Sequence, residues 1–286
     1  MNILITGASG LVGRSCVTNA INESSHKVIA VTRNPQLWKN IDGVDTAHNL
    51  TSINKDIAWD LLIHAAAATP NNTEITKIEA TNHKIDKELT DFLSNRCVNT
   101  VAYLSTMAIY GKIQSSSIDQ NTPSNQPDGY GRSKLEGEEA VRSSGAERSL
   151  ILRLPGVIGK GMPRVFFRRC HESLCSGQEI TIRSRQSRFN NAVYVSDIYN
   201  TCKSFASQAE NLSKTLNQHA LDTMSLGDML DAFAKRLDVV PNLRETNECV
   251  SPFLIKNDGC EKDLVTRNIL CMIDAYLERE PKNASK

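Results

Sequence analysis

"LITGASGLVG", residues 4–13, decides how the rest of the chain is read. Its apolar start has the look of a short buried strand, and Gly7, Gly10 and Gly13 then follow at a G-x-x-G-x-x-G spacing. Gly7 would let the chain turn sharply, Gly10 would let backbone come close to a ligand, and Gly13 would let the next helix pack tightly on the strand. The N–H groups at the start of that helix, from Ser9 through Leu11 and Val12 to Gly13, lack partners within the helix and offer a seat for a pyrophosphate. A glycine triplet alone says little. One that follows a strand and leads into an amphipathic helix predicts dinucleotide binding.

Working outward, short apolar runs alternate with longer amphipathic ones: "NILIT", "LVGRSCVTNAIN", "KVIAVT", "DLLIHAAA", a helical stretch near Glu79 to Asn95, and "TVAYLST". This alternation implies βαβ units, hence an α/β fold of Rossmann type, a doubly wound parallel sheet with helices on both faces. Residues 1–160 are assigned to this dinucleotide-binding domain. Residues 161–286 are assigned to a small C-terminal substrate lobe, interleaved with the sheet and not folding on its own. The lobe carries an Arg-rich helix candidate, short strands at "EITI" and "NAVYV", and a helix beginning near Ser225. The polar run from Gln114 to Gly129 reads as a loop.

Composition narrows the partners. With 33 Lys plus Arg against 32 Asp plus Glu, the formal charge is +1, so no basic field exists to hold nucleic acid or an anionic membrane. The eight cysteines include no Cys-x-x-Cys pair, and the histidines show no ligand spacing, so neither a zinc site nor another metal is expected. A start at "MNILITG" and the lack of any long uninterrupted apolar run predict a cytoplasmic protein.

The end of the second strand bears on the choice of dinucleotide. An acidic side chain there would bind ribose hydroxyls, but "VIAVTRNP" offers Thr32 and Arg33. A guanidinium can clamp a 2′-phosphate that a carboxylate would repel, which favours NADP, with NAD as the alternative. Asn49, after the third strand, is placed to meet the adenine edge or to serve as a turn residue.

Further motifs fall in order: "HAAA" at 64–67, "STMAIYG" at 105–111, Tyr130 and Lys134 in "GYGRSKLEGE", and "LRLPGVIGKG" at 152–161. With the glycine triplet, this set resembles the extended short-chain dehydrogenase/reductase family, the NAD-dependent epimerases, dehydratases and reductases of nucleotide-activated sugars. The resemblance runs to about residue 240 and implies three catalytic residues. Thr106 would hydrogen-bond the reacting sugar oxygen, Tyr130 would be the general acid/base, and Lys134 would hold the nicotinamide ribose and lower the phenol's pKa. Ala65, Ala66 and Pro155 would join the cofactor site, and Asn82 would support the catalytic group from behind. Ser105 is the rival of Thr106; strand alternation would turn the two to opposite sides. His64 reads better as a packed strand-end residue than as a catalyst, and Asp197 as a helix N-cap.

The leading expectation is an NADP-dependent reductase acting on the keto group of a nucleotide-activated deoxysugar in polysaccharide synthesis. An NAD-dependent epimerase or dehydratase is the runner-up, and a non-catalytic redox sensor the alternative from another class. The family also implies a homodimer, formed through the helices near Glu79–Asn95 and Gly131–Ser144. Two family positions depart from the pattern. Leu154, Pro155 and Gly156 follow Arg153 where an asparagine is usual, and Asn190 stands where an arginine grips a phosphate, with Arg188, Arg164, Arg168 and Arg169 as candidate substitutes. The residues after Asn242 match no family feature.

Overall fold

The computed structural model describes residues 1–279, apart from 24, 55, 209–212, 247–252 and 258; Cys249 and part of the stretch after Asn242 thus lie outside the described residues. The first half runs β1 (Asn2–Thr6), α1 (Leu11–Ile21), β2 (Lys27–Val31), β3 (Val44–Ala47), β4 (Trp59–His64), α2 (Ile75–Leu93), β5 (Val98–Thr106), β6 (Ser117–Ile118), α3 (Gly129–Arg142) and β7 (Arg148–Leu154). The second half runs β8 (Gly156–Ile158), α4 (Phe166–Ser176), β9 (Ile180–Ile182), β10 (Arg188–Phe189), β11 (Ala192–Tyr194), α5 (Val195–Ala206), β12 (Lys214–Asn217), β13 (Met224–Ser225), α6 (Leu226–Leu237), β14 (Leu243–Glu245), β15 (Leu254–Ile255) and α7 (Ile269–Arg279).

Seven parallel strands form the central sheet in the order β12-β7-β5-β4-β1-β2-β3. The strand order reverses beside β1, between β2 and β4, the point at which open α/β sheets generally bind ligands at the carboxyl ends of their strands. Both faces are buried, as the near-continuous apolar strands require. On β1, Ile3 and Ile5 join the core under α1 and α5, while Leu4 joins the core under α2 and α3. A separate core in the second half gathers α4, α6 and α7 around Phe167, Met229, Phe233 and Tyr276. The division expected near residue 160 is crossed repeatedly: β12 returns to the sheet beside β7, β11 pairs with β8, β15 pairs with β6, and α5 packs against α1.

Three local features differ from expectation. The loop 114–129 contains β6, which pairs with β15, a partner too distant in sequence to be foreseen. Asp197 is not an N-cap: Tyr194 holds that position in α5, and the buried Asp197 carboxylate accepts from Arg267 Nη2 at 2.6 Å, Nε at 3.0 Å and the Arg267 backbone N–H at 3.2 Å. Asn190 serves as a staple, its Nδ2 donating to the Ile255 carbonyl at 2.7 Å and its Oδ1 accepting from the Ile255 N–H at 2.9 Å. Asn257 repeats the device on Asn217, accepting from its N–H at 2.6 Å and donating to its carbonyl at 2.8 Å. Together they tie the segment around β15 to the sheet edge.

Candidate active site

The glycine turn has the geometry of a cradle. Gly7 adopts φ +65°, and a Cβ there would lie 2.6 Å from the Ala65 carbonyl carbon and the Ala66 nitrogen. At Gly13 a Cβ would lie 2.7 Å from the Gly7 carbonyl carbon, so helix and turn touch backbone to backbone. Gly10 differs. Its φ is an ordinary −76°, and a Cβ would meet only the Gly7 oxygen at 3.4 Å. Internal packing therefore does not demand a glycine at position 10, whereas a ligand seated on the exposed turn would. Gly10 caps α1 without a side-chain hydrogen bond, and no acidic residue enters the first turn. Ser9 is exposed, and Leu11 and Val12 are half-buried. The residues present fit a dinucleotide pyrophosphate.

Around this cradle, Thr32 is buried at the end of β2 and its hydroxyl accepts from the Asn34 N–H at 3.0 Å. Arg33 is exposed. Asn49 caps the 3-10 turn that follows it, with Oδ1 accepting from Ser52 N–H at 3.0 Å and from the Thr51 hydroxyl at 2.9 Å. Ala65 and Ala66 sit half-buried past the end of β4, beside Gly7, and Pro155 joins β7 to β8.

Thr106 closes β5, and Tyr130 and Lys134 occupy the first turns of α3, whose N-terminus Asp128 caps by accepting from Gly131 N–H at 2.7 Å. The structure sets two of them side by side: the Thr106 hydroxyl, which accepts from the Ala108 N–H at 3.2 Å, lies close enough to the Tyr130 phenol to influence it, and Lys134 follows one turn along α3. Burial nonetheless pushes that phenol up to about 12, with Thr106 pulling the other way and the charges of Asp128 and Asp86 adding to the rise. The expectation that Lys134 lowers the phenol's pKa is not met by the protein's own groups, because the ammonium sits over the Tyr103 ring, 3.8 Å from its centroid. Lys134 itself is brought down to about 8 by desolvation, against the charges of Asp86 and Glu138.

Strand alternation separates the two hydroxyls as argued. Ser105 turns inward and donates to Glu138 Oε1 at 2.6 Å, while Thr106 faces Tyr130. Arg153 is structural: Nε and Nη2 bind Glu138 at 3.0 and 2.8 Å, and Nη1 donates to the Tyr110 hydroxyl at 2.8 Å. Asn82 is buried behind α3, accepting from Ala68 N–H at 2.7 Å and donating to Ser133 Oγ at 2.9 Å. His64 is buried between Thr6 and Asp86, in a strand-end packing position.

One residue past Pro155 opens a cleft of about 500 Å³ lined by Gly156, Phe166, Arg183, Phe189, Asn191 and Met229, among others. Of the arginines considered as phosphate partners, Arg164 and Arg168 both bind Glu172, and Arg188 donates to the Thr223 carbonyl. Arg183 is the basic residue on the cleft wall and went unnoticed in the sequence. Its only signal there was its place directly after "EITI".

A sequence profile described as the NAD dependent epimerase/dehydratase family matches residues 3–219. This chain belongs to that family. It is 22% identical over 241 residues to an uncharacterized UDP-glucose epimerase of Bacillus subtilis (strain 168), with 76% of each chain covered. It is also 24% identical over 163 residues to N-acetyl-alpha-D-glucosaminyl-diphospho-ditrans,octacis-undecaprenol 4-epimerase of Escherichia coli O157:H7, covering 55% of this chain and only 49%, about half, of that relative. Among solved structures, UDP-glucuronic acid 4-epimerase from Bacillus cereus in complex with NAD superposes with a TM-score of 0.80 at 16% identity, covering 100% of this chain and 99% of that one. The family match supports the expectation of an enzyme of the reductase/epimerase class, and the superposition supports the doubly wound fold. No helix among the described residues is long and apolar enough to cross a membrane.

Proposed function

We propose that this protein is an NADP-dependent oxidoreductase that reduces a keto group on a nucleotide-activated sugar. The observation that carries the reading is the placing of Thr106 beside Tyr130, with Lys134 one turn further along α3, at the carboxyl edge of the sheet, on the same edge as a glycine turn whose open face fits a pyrophosphate. Tyr130, held protonated with its pKa near 12, gives its proton to the carbonyl oxygen as negative charge develops there. Thr106 steadies the same oxygen through its hydroxyl. Lys134, as an ammonium, grips the nicotinamide ribose. The nicotinamide ring, when bound, supplies the hydride and, in its oxidised form, the positive charge that the protein's own groups do not bring to the phenol.

The cleft past Pro155 suits the nucleotide of an activated sugar, with apolar walls from Phe166, Phe189 and Met229 for a flat base and Arg183 for its phosphates. The preference for NADP over NAD rests on Thr32 and Arg33, the buried hydroxyl and exposed guanidinium where a carboxylate would select NAD. Reduced coenzyme and the free cysteines point to the cytoplasm. A second reading, NAD-dependent epimerisation, is favoured by the likeness to the Bacillus cereus epimerase, which was solved in complex with NAD.

Thermal-shift titration with NADP(H), NAD(H) and a panel of UDP-, dTDP-, GDP- and CDP-sugars separates the two readings. A larger stabilisation by NADPH, with coenzyme consumed in step with a ketosugar, supports the reductase. Purified protein that already carries NAD and interconverts two sugars without added coenzyme would replace it with the epimerase.

A further inference from the structure

Behind the catalytic residues lies a set of buried ionisable side chains with no part in the chemistry above. Tyr103, in β5, donates its hydroxyl proton to Asp86 Oδ2 at 2.9 Å while Lys134 rests on its ring. Asp86 Oδ1 lies 3.4 Å from His64 Nε2, an electrostatic contact too long for a strong hydrogen bond. The His64 ring stacks parallel to Tyr103 at 5.6 Å, and its Nδ1 lies 3.0 Å from the Thr6 hydroxyl, which accepts from the Ala66 N–H. At Gly137 a Cβ would fall 2.7 Å from Tyr103 Cζ, so only glycine lets hydroxyl and carboxylate meet under α3.

Lys134 is 1% exposed, and an ammonium buried to that degree needs a counter-charge. The titratable groups around it are Asp86 on α2, Tyr103 on β5, His64 on β4, and Tyr130 and Glu138 on its own helix, with Arg153 on β7 beyond Glu138. Two of these are carboxylates. Glu138 is already held by Arg153 at two points, by Arg142 and by Ser105. Asp86 has otherwise neutral neighbours: a phenol, and an imidazole whose burial holds its pKa below the ordinary histidine value.

We propose that Asp86, acting with Tyr103, is the positioning residue that keeps Lys134 charged and fixed where it can grip the ribose of the dinucleotide. The inference rests on the reading of Lys134 given above and assigns the residue that sustains it. Asp86 sets the upper pH limit of the site, since Lys134 sits near 8 even with this carboxylate in place. Asp86→Asn keeps the shape and an acceptor for the Tyr103 hydroxyl but removes the charge. Tyr103→Phe keeps the charge and the ring.

NMR titration of the protein labelled with ¹³Cε-lysine, with the Lys134 signal identified by its loss in Lys134→Met, reads the effect directly. Asp86→Asn is expected to lower the Lys134 midpoint by about one unit or more, a tenfold change in the ratio of charged to neutral amine, and Tyr103→Phe to leave it nearly in place. For a one-unit shift, coenzyme affinity in Asp86→Asn then falls about fivefold more at about pH 8 than at about pH 6, whereas a packing role alone would weaken both equally. An unmoved midpoint in folded Asp86→Asn overturns the proposal, whether or not a sugar substrate is found. A moved midpoint supports it even if every sugar fails, in which case the reductase reading alone is lost. If Asp86→Asn does not fold, Asp86→Asn/Lys134→Met decides: recovery of folding supports the proposal, and no recovery overturns it.

Discussion

Tyr130 and Thr106 meet across a helix start and a strand end, and the phenol's raised pKa makes it a proton donor throughout the neutral range. Tyr130→Phe is therefore expected to reduce turnover by roughly 10²–10⁴-fold while leaving coenzyme affinity little changed, which steady-state kinetics and coenzyme fluorescence would check. Gly7→Ala strains a positive φ and drives a methyl group into the Ala65 backbone. It should cost at least about 1–2 kcal/mol, lower Tm by several degrees and weaken coenzyme binding, as calorimetry with and without NADPH would show. Gly7 was legible through a local glycine spacing, whereas Thr106, Tyr130 and Lys134 were read from the order of several separate motifs that together resemble the family. Asp86, Tyr103 and His64 were not legible as a unit. They come from three elements, and only the parallel register that sets His64 beside Tyr103 brings them under Lys134.

Helix α3 is anchored to β7 through Glu138, which binds Arg153, Arg142 and Ser105 in the core. Its arginine partners and the Ser105 hydroxyl hold the carboxyl below its ordinary 4.5, although desolvation, the largest influence, opposes them. Such a group adds stability that is fully present above about 4.5, its unfolded value, and is lost as pH falls through the lower folded value. Glu138→Gln leaves Arg153 without its counter-charge and is expected to cost about 3–5 kcal/mol at neutral pH. Melting curves from pH 7 downward should show the gap to the wild type holding until about pH 4.5 and then closing. Three helices were foreseen within a few residues, α2 at Ile75–Leu93, α3 at Gly129–Arg142 and α6 directly after Ser225, whereas α7 at Ile269–Arg279 was not. Two-residue strands such as β6 escape any periodicity, since their existence depends on the partner they find.

For the molecule as a whole, the alternation of apolar runs gave the doubly wound sheet, but not the way the second half folds back on it through β12 and α5. The expected pairing of two chains through α2 and α3 can also be weighed. The apolar residues Ile78, Leu89, Phe92 and Leu93 of α2 are turned inward, and apart from Ile75 at its start the exposed face carries mainly charged groups, Lys77, His83, Lys84, Lys87 and Asp91. A homodimer built on that face would rest on charge, and sedimentation should show it weakening between low salt and about 0.5 M salt, while an apolar interface would persist. The asparagine staples have one more consequence. During synthesis on the ribosome, α3 with Tyr130 and Lys134 emerges long before residues 254–257, whose pairing with β6 and Asn217 clamps the loop leading into that helix. The sheet of the nascent chain can thus form before the fastening at its β12 edge, which arrives only with the last part of the chain.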